Sequence, residues 1–274
     1  MRRSLPPPAA VLRAFGATEP PTLLSGGMGA TWRSGEVVLK RATEPAGWFE
    51  WESRVLAAVH TDRVRVQQVR RARDGACVAD GWVAREFVAG SHLPRRWRQV
   101  IEAGDALHAA LADLPDEVAR PPLHLRRDAW AVADRIAWDE LGVPTGAGFE
   151  DAALVELLEA RRPAVAPRQL VHGDLTGNVL FADGLMPGII DFSPYWRPAA
   201  YAVGVVVADA VVWEGADLGL LDAVAARAGM GQCLVRALIF RHVTALLLPG
   251  RLPSGDAARR YAVLRRAALD LARS

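Results

Sequence analysis

The spacing of apolar and polar residues divides the chain into a strand-rich first part and a helix-rich remainder. After a short helical stretch, AAVLRAFG, two extended runs flank a glycine-rich segment and a turn at Ser34-Gly35, which predicts a hairpin whose second strand ends at Lys40. The next segment, GWFEWESRVLAAVH, has mainly helical spacing, and alternating residues around Asp74-Gly75 predict two more strands that end near Gly90. The first part is therefore predicted to be a small sheet with one main helix.

From about Leu93 onward the spacing becomes helical. A polar stretch, LVHGDLTGNVLF, interrupts the helices with two short apolar runs, VLF and GII, which a turn joins. The run YAVGVVVADAVVW is broken by Asp209 and is shorter than the roughly 20 residues that span a bilayer, so it predicts a buried helix. Three amphipathic helices are predicted before the polar stretch: QVIEAGDALHAALADL, RDAWAVADRIAWDEL and FEDAALVELLEARR. These patterns predict an α+β chain with a lobe over 1–90 and a helical lobe over 91–274.

Composition narrows the kind of partner and the compartment. The 51% apolar and 23% charged residues are typical of a folded chain. Because 33 basic and 31 acidic residues are spread along the sequence, no basic tract predicts a nucleic acid or a membrane surface as partner. Cys77 and Cys233 have neither zinc-site spacing nor the density of a disulfide framework. Prolines 6–8 break the apolar run that a signal peptide needs, so we expect a cytoplasmic protein with a small-molecule partner.

Lys40 is the only lysine in the chain; all other basic residues are arginines. An ammonium is a compact point charge, whereas a guanidinium is a wide planar fork. A narrow site that requires a point charge would explain why one lysine is kept. We therefore regard Lys40 as a candidate functional residue, with an ordinary surface lysine as the alternative.

The polar stretch places an aspartate and an asparagine, Asp174 and Asn178, beside a short predicted hairpin, and Asp191 follows it. Magnesium prefers oxygen ligands and takes only one or two carboxylates from protein in phosphate sites, which suits Asn178 and Asp191. Asp174 would then be free to orient an attacking hydroxyl and accept its proton. Asp174 and Asn178 are also typical turn formers, and their spacing alone does not separate the two interpretations.

A second candidate is the glycine-rich segment LSGGMGATW. It lacks the ending of a Walker loop, and its position between two strands does not suit a Rossmann turn. A flexible hairpin tip over phosphates is one interpretation and an ordinary turn is the other. Lys40, on the next strand, could reach nucleotide phosphates and be held by a carboxylate of the following helix, for which Glu52 is the first choice and Glu50 the second.

Seven segments in order, SGGMGATW, VVLK, FEWESRVL, REFVAG, LH, HGDLTGN and IIDF, resemble the aminoglycoside phosphotransferase and choline kinase group. The resemblance covers roughly Leu23 to Phe192. It implies an α+β, two-lobed protein-kinase-like fold, in which a small antiparallel-sheet lobe with one main helix precedes a larger, mostly helical lobe. The hinge between the lobes would lie at about 86–90.

The same resemblance implies a role for each matching residue. Asp174 would be the catalytic base, and Asn178 and Asp191 would hold Mg²⁺. Lys40 would contact the α- and β-phosphates of ATP and pair with Glu52. Backbone groups of the hinge would bind adenine. The nucleotide-binding set is Ser25, Gly26, Gly27, Gly29, Lys40, Glu52, Glu86 and Val88. His108 and His172 are expected to have structural rather than metal-binding roles.

The sequence departs from the family pattern around the polar stretch. Only three residues separate Asp174 from Asn178, one fewer than usual, and Gly177 could let the backbone take this tighter path. After Asp191 no further aspartate occurs before Asp209. Trp196 and Arg197 follow the metal-binding segment closely and are candidates for the substrate pocket, with Arg197 facing an anionic group of the acceptor.

The predicted function is transfer of the γ-phosphate of ATP, with Mg²⁺, to a hydroxyl of a small molecule such as a sugar, an amino alcohol or an aminoglycoside. The alternative is a nucleotide-binding or scaffold protein that keeps the fold but has impaired catalysis, which the short loop and the missing aspartate would favour.

Overall fold

The computed structural model describes residues 5–24, 30–146, 148–163, 166–248 and 252–273. Its first part is an antiparallel sheet in the order β1-β2-β3-β7-β5, with β6 paired to β7. The strands are β1 (Thr22–Leu23), β2 (Trp32–Ser34), β3 (Val37–Arg41), β5 (Val69–Arg70), β6 (Val78–Ala79) and β7 (Trp82–Glu86). The predicted hairpin with its turn at Ser34-Gly35 is confirmed as β2–β3, and it places Lys40 opposite Val83 of β7.

The region around Asp74-Gly75 has one more strand than predicted. The chain turns there, but β6 and β7 pair across a second tight turn at Asp80 and Gly81, whose φ angles are 48° and 71°. An Asp-Gly pair with left-handed φ angles matches the right-handed twist of hairpin strands. Strand β7 thereby becomes the centre of the sheet and carries the chain to the next part of the molecule.

The helix α2 (Ala46–Ala58) packs against β5 of the sheet and buries most of its length. Two elements that the sequence pattern did not predict lie outside the sheet. The short helix α4 (Asp116–Ala119) contacts α2, where the Trp51 indole N–H donates to the Val118 carbonyl at 3.1 Å. The strand β4 (Arg65–Val66) pairs in parallel with a strand of the polar hairpin described below. Both contacts brace the sheet region against the helical region.

The helical part contains the three predicted amphipathic helices and a buried pair. Asp128 and Asp151 cap two of them by accepting hydrogen bonds from backbone N–H groups of the first turn. The helices of this part are α3 (Trp97–Ala112), α5 (Ala129–Ala137), α6 (Ala152–Glu159), α7 (Ala199–Val212), α8 (Gly219–Asp222), α9 (Met230–Leu247) and α10 (Gly255–Arg273), with a 3-10 turn at Leu123–Leu125. One further helix, α1 (Ala9–Ala14), precedes the sheet.

The main hydrophobic core runs from α2 through the helical part, and a smaller cluster lies between α1 and the sheet. The predicted buried helix is confirmed as α7, in which twelve of fourteen residues are buried. Among the described residues one helix, α9, is long and apolar enough to cross a membrane, but 78% of that window is buried inside the protein. Since α9 packs against α5, α7 and α10, it is a core helix. The division at residue 90 stays a prediction, because the main core is shared.

The polar stretch forms two small sheets. The predicted hairpin is β9 (Val179–Leu180) with β10 (Gly188–Ile189), and β10 also pairs with β4. The segment after Asp191 is predicted to return to helix, but Pro194–Arg197 is a strand, β11, antiparallel to β8 (Gln169–His172). Proline is tolerated here because it is the first residue of a strand. The chain therefore returns beside the strand that leads into the polar loop.

Candidate active site

The loop between β8 and β9 carries Asp174 and is organised by His172. The His172 Nδ1 accepts a hydrogen bond from the Asp174 N–H at 3.2 Å, and its Nε2 donates to the Ile190 carbonyl at 3.1 Å. Both bonds are satisfied by one neutral tautomer. Burial lowers the pKa of His172, which keeps the ring neutral. The side chain thus ties the Asp174 loop to the segment just before Asp191, as expected for a structural histidine.

His108 supports the same loop from helix α3. Its Nε2 accepts from the His172 backbone N–H at 3.1 Å, and burial lowers the pKa of His108 to about 4. Gly104, one turn earlier, leaves room for Leu175, since a Cβ there would lie 2.4 Å from Leu175 Cδ1. The structural role predicted for His108 agrees with this geometry.

The short loop after Asp174 is closed by Asn178. The Asn178 Nδ2 donates to the Asp174 carbonyl at 2.6 Å, and the Asn178 backbone N–H donates to the Leu175 carbonyl at 2.9 Å. Gly177 has a left-handed φ of 80°, which fits the expectation that it permits the tighter path. The missing residue is therefore compensated by a glycine turn and a side-chain bond.

Asp191 lies on the neighbouring chain segment. The Ile190 N–H donates to the Asn178 carbonyl at 3.0 Å, so the hairpin brings Asn178, just before β9, close to Asp191, which follows β10. The Asp191 φ of 54° is unusual for a residue other than glycine, and such backbone strain is concentrated at functional sites. The Asp191 N–H donates to Gln67 Oε1 at 3.2 Å, which holds the strained residue from the side of the sheet.

Lys40 pairs with Asp191, not with Glu52. The Lys40 Nζ lies 2.8 Å from Asp191 Oδ1, and both side chains are partly exposed, 27% and 43%. Burial favours the protonated form of Asp191, but the Lys40 ammonium outweighs it and lowers the pKa of the carboxyl. The point charge and the candidate metal ligand are therefore in direct contact.

The predicted Lys40–Glu52 pair is corrected by the structure. Glu52 is fully buried and accepts two hydrogen bonds from Arg85 Nη2, at 2.7 and 2.9 Å. Arg85 lies on the central strand β7, and a single nitrogen of its guanidinium contacts both oxygens of the carboxylate. Glu50, the second choice, faces the other way and pairs with Arg71 at 2.8 Å. Arg85, which the sequence did not indicate as a candidate, therefore forms the ion pair with the Glu52 carboxylate of α2.

The predicted hinge lies where β7 ends. Glu86 has its backbone groups engaged: its N–H donates to the Gln68 carbonyl at 3.0 Å and its carbonyl accepts from Gln67 Nε2 at 2.8 Å. A carbonyl has a second lone pair, so a further donor fits, but the N–H is occupied. Val88 is 9% exposed and packs beside Gly188, where a Cβ would lie 2.4 Å from its methyl group. Whether Glu86 and Val88 bind adenine stays a prediction.

Gln67 links two predicted sites through one buried amide. Its Nε2 reaches the hinge at Glu86 and its Oε1 reaches Asp191, while its own N–H donates to the Ile189 carbonyl at 2.9 Å. Sequence reasoning did not identify Gln67, and nothing in its local pattern indicates this role. Ser25, Gly26, Gly27 and Gly29 of the predicted nucleotide-binding set lie outside the described residues.

The two candidates for the substrate pocket differ in the structure. Trp196 is partly exposed, and Arg120 stacks over its ring at 4.3 Å. Arg197 is 1% exposed and is held by Asp134 at 2.6 Å and Glu140 at 2.7 Å. The prediction that Arg197 meets an anionic acceptor is therefore wrong, because its guanidinium is already paired with the buried carboxylate of Asp134 and the partly exposed carboxylate of Glu140. The cause is the strand β11, which turns alternate residues inward.

Arg241 of α9 is the residue near Asp174 that sequence reasoning missed. Its Nη2 donates to Asp174 Oδ1 at 2.6 Å, and its Nε donates to Asp209 Oδ1 at 2.7 Å. Although burial alone would lower it, the carboxylates of Asp209 and Asp174 raise the pKa of Arg241. A signal did exist: Asp209 and Arg241 are charges within the two most buried helices, α7 and α9.

The side-chain oxygen atoms of Asn178 and Asp191, beside the β9–β10 hairpin, are suitable ligands for a hard cation. The Asn178 Nδ2 is taken by a carbonyl, which leaves the amide oxygen Oδ1 for a cation, and Asp191 supplies a carboxylate. Within the described ranges no group of three or more His, Cys, Asp or Glu side chains could hold a metal ion by itself. Two protein oxygens are typical of a Mg²⁺ that is completed by phosphate oxygens and water.

Solved structures of similar fold include phosphotransferases and kinases. An amicoumacin kinase in complex with AMP-PNP and Ca²⁺ has a TM-score of 0.59 and 13% identity, over 91% of this chain and 88% of that chain. A mutant aminoglycoside phosphotransferase in a ternary complex with ADP and hygromycin B has a TM-score of 0.61 and 13% identity, over 96% and 97%. A choline/ethanolamine kinase family protein from Mesorhizobium loti has a TM-score of 0.52 and 18% identity, over 94% of each chain.

The fold is thus that of the kinase-like phosphotransferases, with a sheet lobe and a helical lobe, as predicted. The sequence model of the phosphotransferase enzyme family matches residues 27–233, and the chain belongs to this family. A comparison with curated protein sequences gives no match.

Proposed function

We propose that this protein transfers the γ-phosphate of ATP to a hydroxyl group of a small molecule, with Mg²⁺ as the metal. The observation that carries the proposal is the convergence of Lys40, Asp191 and the Asp174 loop around one hairpin. Phosphoryl transfer requires positioning and charge neutralisation more than covalent chemistry, and these residues supply both.

Each residue has a defined task in this proposal. Asp191 and the Oδ1 of Asn178 hold Mg²⁺, which neutralises charge on the phosphates when it is bound. Lys40 exchanges its contact with Asp191 for the phosphates of the nucleotide. Asp174 accepts a hydrogen bond from the acceptor hydroxyl, orients its oxygen toward the γ-phosphorus and takes its proton as the new P–O bond forms. The bond from the γ-phosphorus to the bridging oxygen breaks, and ADP leaves.

The chemical class of the acceptor is a separate part of the proposal. The relatives in solved structures are named for amicoumacin, hygromycin B and spectinomycin and for choline or ethanolamine. We propose a hydroxylated small molecule without a preference for an anionic group, because Arg197, the cation expected to receive such a group, is buried and paired.

The test is ADP formation with ATP, Mg²⁺ and a panel of sugars, amino alcohols and aminoglycosides. We expect acceptor-dependent turnover in the wild type and a loss of about 10²–10⁴-fold in Asp174→Ala, the range for removal of a general base. Asp183, an aspartate in the turn of the same hairpin, provides the matched control Asp183→Ala. Nucleotide binding without acceptor-dependent ADP for any member of a broad panel would instead favour the impaired binding protein that the short loop suggested.

A further inference from the structure

Two core helices each contribute one charged side chain to the same buried contact. Asp209 lies in α7 and Arg241 in α9, and their side chains are 11% and 12% exposed. Arg241 donates to both carboxylate oxygens of Asp209, from Nε at 2.7 Å and from Nη2 at 2.5 Å. This bidentate geometry is the strongest form of an ion pair between these residue types. It fixes the plane of the guanidinium relative to both helices.

The same guanidinium reaches out of the helical core to the polar loop. Its Nη2 also donates to Oδ1 of Asp174 at 2.6 Å, and the Asp174 side chain is 37% exposed. Within the described part of the chain, the second carboxylate oxygen of Asp174, Oδ2, has no protein hydrogen bond. One oxygen of the candidate base is therefore anchored, and the other is not bonded to the protein.

We propose that Arg241, held by Asp209, is a positioning residue that anchors Oδ1 of Asp174, so that Oδ2 receives the hydroxyl of the acceptor. The inference rests on the proposed function, because it assigns Asp174 as the base. A carboxylate on a partly exposed loop rotates among several rotamers, and a misplacement of about 1 Å can cost about 10²-fold in rate. The anchor removes that freedom before the acceptor binds.

Charge balance in the core does not require the third hydrogen bond. Arg241 and Asp209 already neutralise each other between α7 and α9, so the Asp174 carboxylate is added to a balanced pair. The three side chains together carry one negative charge, and Asp174 is the most exposed of the three. The geometry therefore makes the helical core part of the machinery that orients the base.

The substitutions must separate orientation from folding. Arg241→Lys keeps the charge but has no fork to hold both carboxylates. Arg241→Met alone would leave the Asp209 carboxylate buried without a counterion, so it is combined with Asp209→Asn, which removes both buried charges together. Arg236 gives the matched control Arg236→Gln: it is buried in the same helix but donates to Gln232 and Arg162, not to the polar loop.

Two readouts test the proposal. In steady-state kinetics with ATP and an accepted acceptor, we expect kcat to fall about 10²-fold in Arg241→Lys and in the double variant, with both KM values within about threefold of wild type. The Arg236→Gln control should retain the wild-type kcat. Folded variants with unchanged kcat would overturn the proposal.

The second readout needs no acceptor. Hydrogen exchange of the amides at 174 and 178 reports the order of the loop, and we expect faster exchange in the Arg241 variants than in Arg236→Gln. Unchanged protection would contradict the anchor even if no acceptor is found. If protection falls as expected while the wild type shows no turnover with any acceptor, the proposed function fails and the anchor stands as a structural finding.

Discussion

Two ion pairs on neighbouring strands of the sheet lobe differ in the freedom that their surroundings leave them. The Lys40–Asp191 pair joins the sheet to the polar hairpin, and its side chains are 27% and 43% exposed. The Arg85–Glu52 pair joins the sheet to α2, and its side chains are 11% and 0% exposed. Water can replace either partner of the first pair at little cost, whereas separating the second would leave a bare charge in the core.

This difference separates a movable contact from a permanent one. Because Arg85 holds the carboxylate of α2, Lys40 is free to exchange Asp191 for a phosphate without disturbing the helix. In the sheet lobe, Arg85 therefore fixes helix α2, whereas Lys40 makes the proposed contact with the ligand. Substitutions that treat the two pairs alike should reveal how far they differ.

The largest effect on stability is expected for Glu52→Ala. The substitution leaves the guanidinium of Arg85 buried without its carboxylate, and we predict that the free energy of unfolding falls by about 3–5 kcal/mol. Chemical denaturation measures it. The control is Glu50→Ala, on the same helix but on its exposed side, which should cost less than about 1 kcal/mol. Similar losses in the two variants would show that the Arg85–Glu52 pair is not the permanent one.

The buried support of the Asp174 loop predicts the next largest effect, on the pH dependence of stability. The unfolded chain protonates His108 below its ordinary pKa of 6.5, while the folded chain keeps it neutral down to about 4. The unfolded state thus binds more protons in this window, so stability falls as the pH falls from about 6.5 to about 4, by about 3 kcal/mol from His108. His172, whose pKa is also lowered, adds in the same direction.

Denaturation at several pH values measures this slope in the wild type and in His108→Gln. The variant should show a flatter dependence between pH 6.5 and 4. The exposed His60 provides the control His60→Gln, which should retain the wild-type slope. An equally steep slope in His108→Gln would mean that the buried ring does not resist protonation.

An intermediate effect is expected for Lys40→Arg on turnover. The substitution keeps the positive charge but replaces a compact ammonium by a wide, planar guanidinium. We therefore predict a loss of about 10–10²-fold in kcat/KM for ATP. Steady-state kinetics on the protein with its acceptor measures it. Arg41→Lys, the reverse change at the next position, is the control and should have no comparable effect. Full activity in Lys40→Arg would remove the reason for which a single lysine was singled out.

The smallest effect is expected for Lys40→Met on stability. Removing one partner of a partly exposed pair should change the free energy of unfolding by less than about 1 kcal/mol. Denaturation of Lys40→Met beside Glu52→Ala makes the comparison between the two pairs direct. A loss as large as that of Glu52→Ala would place Lys40 among the structural residues.

Local patterns predicted most of the elements, because helical and alternating spacing report burial directly. They missed one strand of the sheet near Asp74-Gly75, and also β4, α4 and β11. Strands β4 and β11 are short and take their structure from distant partners, since β4 pairs with β10 and β11 with β8. The sequence identified the position of Lys40, Asp174 and Asp191 but not the pairing of Lys40. It offered two acidic residues on α2 and no reason to expect that Arg85 would compete for one of them.

Two other differences have the same origin. Arg197 follows Asp191 closely in sequence, yet its strand directs it into a buried cluster with Asp134 and Glu140. Arg241 lies 67 residues from Asp174 and contacts it only because α7 and α9 pack together. Tertiary structure sets the direction of these side chains and their long-range contacts, and local sequence patterns do not predict either.

The single lysine makes the most direct test possible. With lysine labelled in its side chain with ¹³C and ¹⁵N, the Lys40 side chain gives the only lysine signals in an NMR spectrum of the whole protein. We predict that AMP-PNP with Mg²⁺ shifts these signals, as Lys40 leaves Asp191 for the phosphates. Signals that stay in place at a nucleotide concentration that saturates binding would contradict the exchange. If no nucleotide binds at all, the proposed phosphotransferase activity would be contradicted as well.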